Sequence, residues 1–503
     1  MKRRHLLAGL SLVPALPLRA WALESPAREP GFAALIEEAR ARAAAPYAPP
    51  SAPAQLPAEL PAAIHRRARV RPQHLRDLGA GYVLAPLPPG GPPPAAVPVR
   101  LLRGSALYPV AFRPGMFDEP DLVYPPGLPL DTGFGGIALF FPLNRPPALD
   151  EFLRFGRASL IRGTCRDGVI GPTARGVAVD TSSGRGEEFP AFVEYRIGQP
   201  DPVRRELPIF ALLDGPSLAG AYAFSLRAGI ETVVEVRAVL FLRESGRQIG
   251  LAPIGGMFLY GPQDPPAEAE VRPRIHDCAG LVIHRGDGER VWRALANPRA
   301  ARLSVFRDDN PRGFGLVQRI RDPAAYGDPV ARYERSPDLW VEPLHPWGRG
   351  SLHLVEIPVD NPGFSNIVVF WEPENLPEPQ KPLVAAWRLR WSLDATPAAG
   401  LLRVRETRVG RARSADGQVL PQRTAVEIDF EPAVVGDALL ELEVGVNGGE
   451  ASGIRSWPLD SPAGLRVSFL VEAAGSGPIE LRCALRQQGR AISETWLGRL
   501  DAL

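Results

Sequence analysis

EIPVDNPGFSNIVVFW, residues 356–371, is a strand, a loop and a second strand. Ile367, Val368, Val369 and Phe370 form a β-branched and aromatic run, and Pro358, Asn361, Pro362 and Gly363 supply the turn chemistry before it. The same alternation of apolar run and breaker recurs along the chain. Ile137–Phe141, Ile209–Leu213, Glu231–Val236, Leu303–Phe306 and Val426–Phe430 all read as strands, and 57 prolines and 50 glycines interrupt nearly every other segment. Helical periodicity is confined to short pieces such as Gly31–Ala45. Many short strands between turn signals predict a mostly β chain built of β-sandwiches rather than βαβ units.

The first 22 residues read as an export signal. Lys2, Arg3 and Arg4 precede an apolar run from Leu6 to Leu18, too short for a membrane span of about 20 residues, and Ala20-Trp21-Ala22 is an A-x-A cleavage pattern. Arg3-Arg4 before a weakly apolar stretch resembles a twin-arginine signal. Residues 1–22 hold Lys2, Arg3, Arg4 and Arg19 and no acid, so the remainder carries 54 bases against 56 acids, formally −2. That balance argues against nucleic acid as a partner, which calls for a basic surplus. Lys2 and Lys381 are the only lysines. Cys165, Cys278 and Cys483 are odd in number and widely spaced, so at most one bridge can form and no zinc spacing exists.

A mature chain of this length accommodates two or three domains. The Pro- and Glu-rich EPENLPEPQKP, residues 372–382, has a linker's composition, and Trp387–Trp391 with Leu440–Val444 then belong to a smaller C-terminal β unit. The expected division is 1–22 signal, 23–380 large sandwich, 381–503 small sandwich.

Hydrolase and nucleotide motifs are absent: there is no G-x-S-x-G, H-E-x-x-H or phosphate loop, and the seven histidines are scattered, so neither a metal site nor a cofactor is expected. Residues 272–371 are instead rich in Asp, Glu, Trp and Tyr. Carboxylates that move protons and rings that stack on sugar faces are what a carbohydrate cleft requires, although core tryptophans and loop carboxylates give the same composition.

Longer motifs are more specific. ARGVAVDT (174–181), EEFPAF (187–192), LLDGPSLAGAY (212–222), GLAPIGGMFLYG (250–261), IHD (275–277), DDNPRGFG (308–315), RYERSPDLWVEP (332–343), WGRG (347–350) and SETWL (493–497) together resemble the periplasmic glucan biosynthesis protein G/D family. The signal resembles that of the D branch. The resemblance implies a periplasmic protein with a large N-terminal β-sandwich bearing a glucan cleft, a smaller immunoglobulin-like sandwich after it, and β-1,2-linked glucan as the partner. It also implies, from the members that cleave this glucan with inversion, a pair of aspartates serving as general base and general acid.

The base falls on Asp277, in His276-Asp277-Cys278-Ala279, where the family's second aspartate of that segment has become Ala279. The acid falls immediately before Asn366-Ile367-Val368, and that position is Ser365. A serine hydroxyl is far too weak an acid to replace a carboxyl near neutral pH. Two aromatic motifs have also diverged, to Gly156-Arg157-Ala158-Ser159-Leu160 and to Ile170-Gly171-Pro172-Thr173. The expectation is therefore a glucan-binding protein with weak or lost hydrolysis; the alternatives are an active enzyme in which Asp360 acts as a relocated acid, and a diverged protein with another ligand. Tyr333, Trp340, Glu342, Trp347 and Trp371 match family positions or near neighbours and are candidate sugar contacts. Arg312 is a further one through its fork of donors.

Overall fold

The computed structural model describes residues 30–50, 56, 64, 67–91, 96–266, 268–396, 400–414, 416–432, 440–460 and 463–501. The signal segment 1–22 lies outside the described residues. Each strand expected from sequence is present, and 356–371 is a hairpin: Arg349–Glu356 pairs antiparallel with Ile367–Pro373, Glu356 opposite Ile367, around a loop of residues 357–366.

Two large sheets dominate the described residues. One has eleven strands and runs from Arg76–Gly79 at one edge, through Ile249–Gly256 and the 349–373 hairpin, to Arg302–Asp309 at the other. The other has fifteen and includes Leu207–Asp214, Leu218–Arg227 and Thr232–Leu242. Their facing sides enclose the main core, which contains Tyr82, Phe155, Tyr222, Trp371, Trp387 and Trp391. Burial of apolar surface on this scale is the main term favouring the fold.

The fifteen-stranded sheet is covered on its opposite side at both ends, which explains why its strands read as apolar runs instead of alternating. At one end the helix Pro30–Ala44 lays Phe32, Leu35, Ala39 and Ala43 onto Phe210, Leu212, Ala221 and Phe241. At the other end a four-stranded sheet, Arg403–Arg413, Val419–Glu431, Ala463–Ala473 and Gly449–Asp460, packs Val426, Phe430 and Phe469 against Trp292, Trp340 and Trp496. Between these covers the sheet surface carries charge pairs, Arg388 with Glu235 and Glu342, and Arg390 with Glu231.

The run Trp387–Trp391, expected beyond a linker in the smaller unit, lies instead inside the large sheet. Strand Pro382–Ser392 pairs with Thr232–Leu242 on one side and Asp338–Pro343 on the other, Trp387 opposite both Val236 and Pro343. EPENLPEPQKP is thus a crossover from one large sheet to the other, tied down where Gln380 N donates to Leu242 O and Gln380 Nε2 to Ala43 O. Nor is the C-terminal part detached. Strands Leu440–Asn447, Ile479–Gln487 and Thr495–Leu500 extend the fifteen-stranded sheet, joined by a parallel pairing of Val291 with Thr495 and Arg293 with Leu497. Among the described residues no helix is long and apolar enough to cross a membrane.

Candidate functional site

Asp277 follows the two-residue strand Ile275–His276, which pairs with Phe258–Tyr260. Its carboxyl is held by a reciprocal bracket: Asp277 N donates to Met257 O at 2.9 Å, and Met257 N donates to Asp277 Oδ1 at 2.7 Å. The residue retains some solvent exposure, yet the carboxyl is enclosed, and desolvation pushes it from 3.8 up to about 6 against the opposing pull of the Met257 N–H. A carboxyl titrating near 6 is suited to accept or give a proton close to neutral pH. Neighbouring His276 is no proton carrier of that kind. It is buried, stacked on Phe258 at 5.2 Å, and desolvation pushes it down to about 3.

Tyr333 joins Asp277 at this place. Burial raises its phenol, and the charges of Asp328 and Asp277 raise it further, so all three groups share one electrostatic environment. Buried Gln318 links the two segments, since its Nε2 donates to His276 O at 2.9 Å and to Tyr333 O at 3.1 Å. Around Tyr333 stand groups the sequence did not single out: Tyr260 Oη donates to Glu270 at 3.3 Å, and Arg272 pairs with Asp328 at 3.2 Å. Nearby in the chain Val271 and Val330 are exposed, and so is Ile170; Val169 N anchors it by donating to Arg335 O at 3.0 Å.

The loop 357–366 meets the same segment from the other side. Asn366 is fully buried and clamps it: Phe258 N donates to Asn366 Oδ1 at 2.8 Å, Asn366 Nδ2 donates to Phe258 O at 2.9 Å and to Ile357 O at 3.1 Å, and Asn366 N donates to Gly256 O at 3.0 Å. A Cβ placed on Gly256 would lie 3.0 Å from Asp277 Oδ1, so that carboxylate oxygen adjoins Gly256 itself. Linking these contacts through covalent geometry bounds the separation of Asn366 N and Asp277 Oδ1 at about 10 Å. Ser365, exposed and next in the chain to Asn366, presents a hydroxyl from the loop anchored there. Asp360 is exposed as well, and its Oδ1 accepts from Asn361 Nδ2 at 2.7 Å. The neighbouring Val359 is pinned through Asn297, which donates to Val359 O at 2.8 Å and accepts from Val359 N at 2.9 Å.

Other expected contacts lie elsewhere. Trp340 is 1% exposed between the fifteen- and four-stranded sheets, and Trp371 is 0% exposed in the main core, so neither offers a face to a sugar. Trp347 leans on Trp371 and Trp387, with ring centroids 6.3 and 6.4 Å away. Glu342 is held by Arg388 on the charged sheet surface. Arg312 donates to Gly286 O at 3.0 Å beyond the end of strand Gly313–Val317 opposite to Gln318, about 17–20 Å along the sheet. The cysteines are all free and buried, and Cys278 packs beneath Gly256.

Residues 31–500 match the family model described as periplasmic glucan biosynthesis protein, MdoG. The chain is 40% identical to glucans biosynthesis protein D 1 of Ralstonia nicotianae over 79% of its length and 78% of the relative's. It is 36% identical to glucans biosynthesis protein G of Pseudomonas paraeruginosa over 81% of its length and 80% of the relative's.

Proposed function

The chain belongs to the MdoG family of periplasmic glucan biosynthesis proteins, and from that membership we propose that it acts in the periplasm by binding β-1,2-linked glucan beside Asp277 while cleaving it weakly or not at all. The observation that carries this reading is the pairing of an enclosed carboxyl raised to about 6 at Asp277 with an exposed hydroxyl at Ser365, on the residue next to the Asn366 clamp. Inverting cleavage needs two carboxyl groups about 6.5–9.5 Å apart, one protonating the leaving oxygen and one activating water. Asp277 supports the base role. Ser365 supplies no proton, so glucan that binds is retained and not hydrolysed.

Sugar hydroxyls would be met by Tyr333, Tyr260, Glu270 and the Arg272–Asp328 pair, which form one polar cluster with Asp277. The exposed aliphatic side chains of Ile170, Val271 and Val330 give less stacking than rings would. Incubation with purified linear β-1,2-glucan, followed by calorimetry and product analysis, tests the reading: saturable binding with negligible shortening is expected, and absence of binding removes it. The second reading, an active enzyme with Asp360 as acid, rests on the exposure of that carboxyl in the same loop. Brisk turnover that disappears in Asp360→Asn would establish it in place of the first.

A further inference from the structure

An opening lies away from Asp277, between the last strand of the eleven-stranded sheet, Arg302–Asp309, and the C-terminal strands that extend the other sheet. It is a groove of about 530 Å³ with Val305 and Phe306 on one wall and Val446 and Leu497 on the other. Three guanidinium groups line it, Arg293, Arg482 and Arg499, against a single carboxylate, Glu480. The volume is within the range of sites that enclose small organic ligands.

Arg482 is held by Glu443 and, at 3.3 Å, by Glu289, but Arg293 and Arg499 are incompletely satisfied. Arg293 is 3% exposed, and its Nη2 has no hydrogen-bond partner among the described residues; the nearest carboxylate, Glu356 Oε2, is 3.5 Å away. Arg499 Nε is likewise buried and unpartnered, and its Nη1 is 3.4 Å from Glu480 Oε1. Both separations exceed the roughly 2.7–2.9 Å of a charge-assisted hydrogen bond. A buried donor without an acceptor is costly, and an incoming oxyanion would remove that cost.

We propose that this groove binds a small organic anion, its carboxylate or phosphate oxygens taking the open donors of Arg293 and Arg499 and its body resting on Val305, Phe306 and Val446. The site is independent of the glucan reading, since it involves none of the residues around Asp277. Citrate and glucose 6-phosphate serve as probes for the two oxyanion types, titrated calorimetrically into the full chain at constant ionic strength so that screening does not vary. At least one is expected to bind saturably, with affinity falling tenfold or more in Arg499→Gln. Arg204→Gln, an exposed arginine outside the groove, should leave binding unchanged. Thermal unfolding without ligand verifies that each variant is folded. No saturable binding by either probe, or unchanged affinity in Arg499→Gln, overturns the proposal.

Discussion

Asp277 and the loop 357–366 touch the same short segment, Gly256–Phe258, yet they are equipped differently. Asp277 is gripped through both its amide and its carboxyl by Met257, and desolvation sets it to about 6. The loop is gripped just as firmly at Asn366, but its exposed tip presents Ser365 and Asp360 to solvent, and only backbone and amide contacts hold it. Rigid placement is thus common to both sides, whereas a proton-carrying group in an enclosed setting is present on one. On the proposed function, a binding site would differ from a hydrolytic one here in the chemistry of a single side chain, not in the scaffold that presents it.

The strongest attempt to erase that difference is Ser365→Asp. A positioned general acid contributes about 10²–10⁴-fold, and product release from linear β-1,2-glucan should rise by that order if Asp277 retains its place; a variant that binds glucan without gaining turnover would show that the scaffold differs too. Next in size is Asn366→Ala, which strips the buried N–H and C=O of Phe258 of their partner. It should destabilise the protein by about 2–4 kcal/mol in urea unfolding and expose the 357–365 backbone to proteolysis.

Asp277→Asn reads the other side. Because the folded carboxyl titrates near 6 and an unfolded aspartate near 3.9, the folded state binds more protons between those values, and stability contributed by Asp277 falls as pH rises through that window. The variant should therefore be more stable than wild type by about 2 kcal/mol at pH 8 and by little at pH 4, as measured by thermal unfolding at both. Smallest of all is Asp360→Asn, expected to change glucan binding and any residual turnover less than about twofold, since its carboxyl contacts only Asn361 among the described residues.

Much of the architecture was legible because strands advertise themselves locally. The hairpin around 357–366, the strand Ile137–Phe141 and the helix at Pro30–Ala44 follow from side-chain type and period alone. The division at 380 was not, because a Pro- and Glu-rich crossover between sheets has the composition of a linker, and only the pairing of Trp387 with Val236 reveals that the chain re-enters the large sheet. Trp340 and Trp371 were misjudged for a related reason. Residues 338–341 of the strand Asp338–Pro343 are buried on both faces, so no alternation marks which side is wet, and an aromatic residue there looks the same whether it stacks on a sugar or packs in a core with Val282. At the site, Asp277 and Ser365 came from motif position, while Asn366 and Gln318, whose amides bridge distant backbone groups, left no periodic signal.

The parallel seam of Val291–Arg293 with Thr495–Leu497 also sets the order in which the protein can be completed. During synthesis the outer edge of Arg290–Ala294 has no strand beside it until Thr495–Leu500 emerges about 200 residues later, and every contact across the seam closes a very long loop. The nascent large sandwich therefore waits with one bare edge, vulnerable to pairing with another chain, and a truncation of the final ten residues would leave it so permanently.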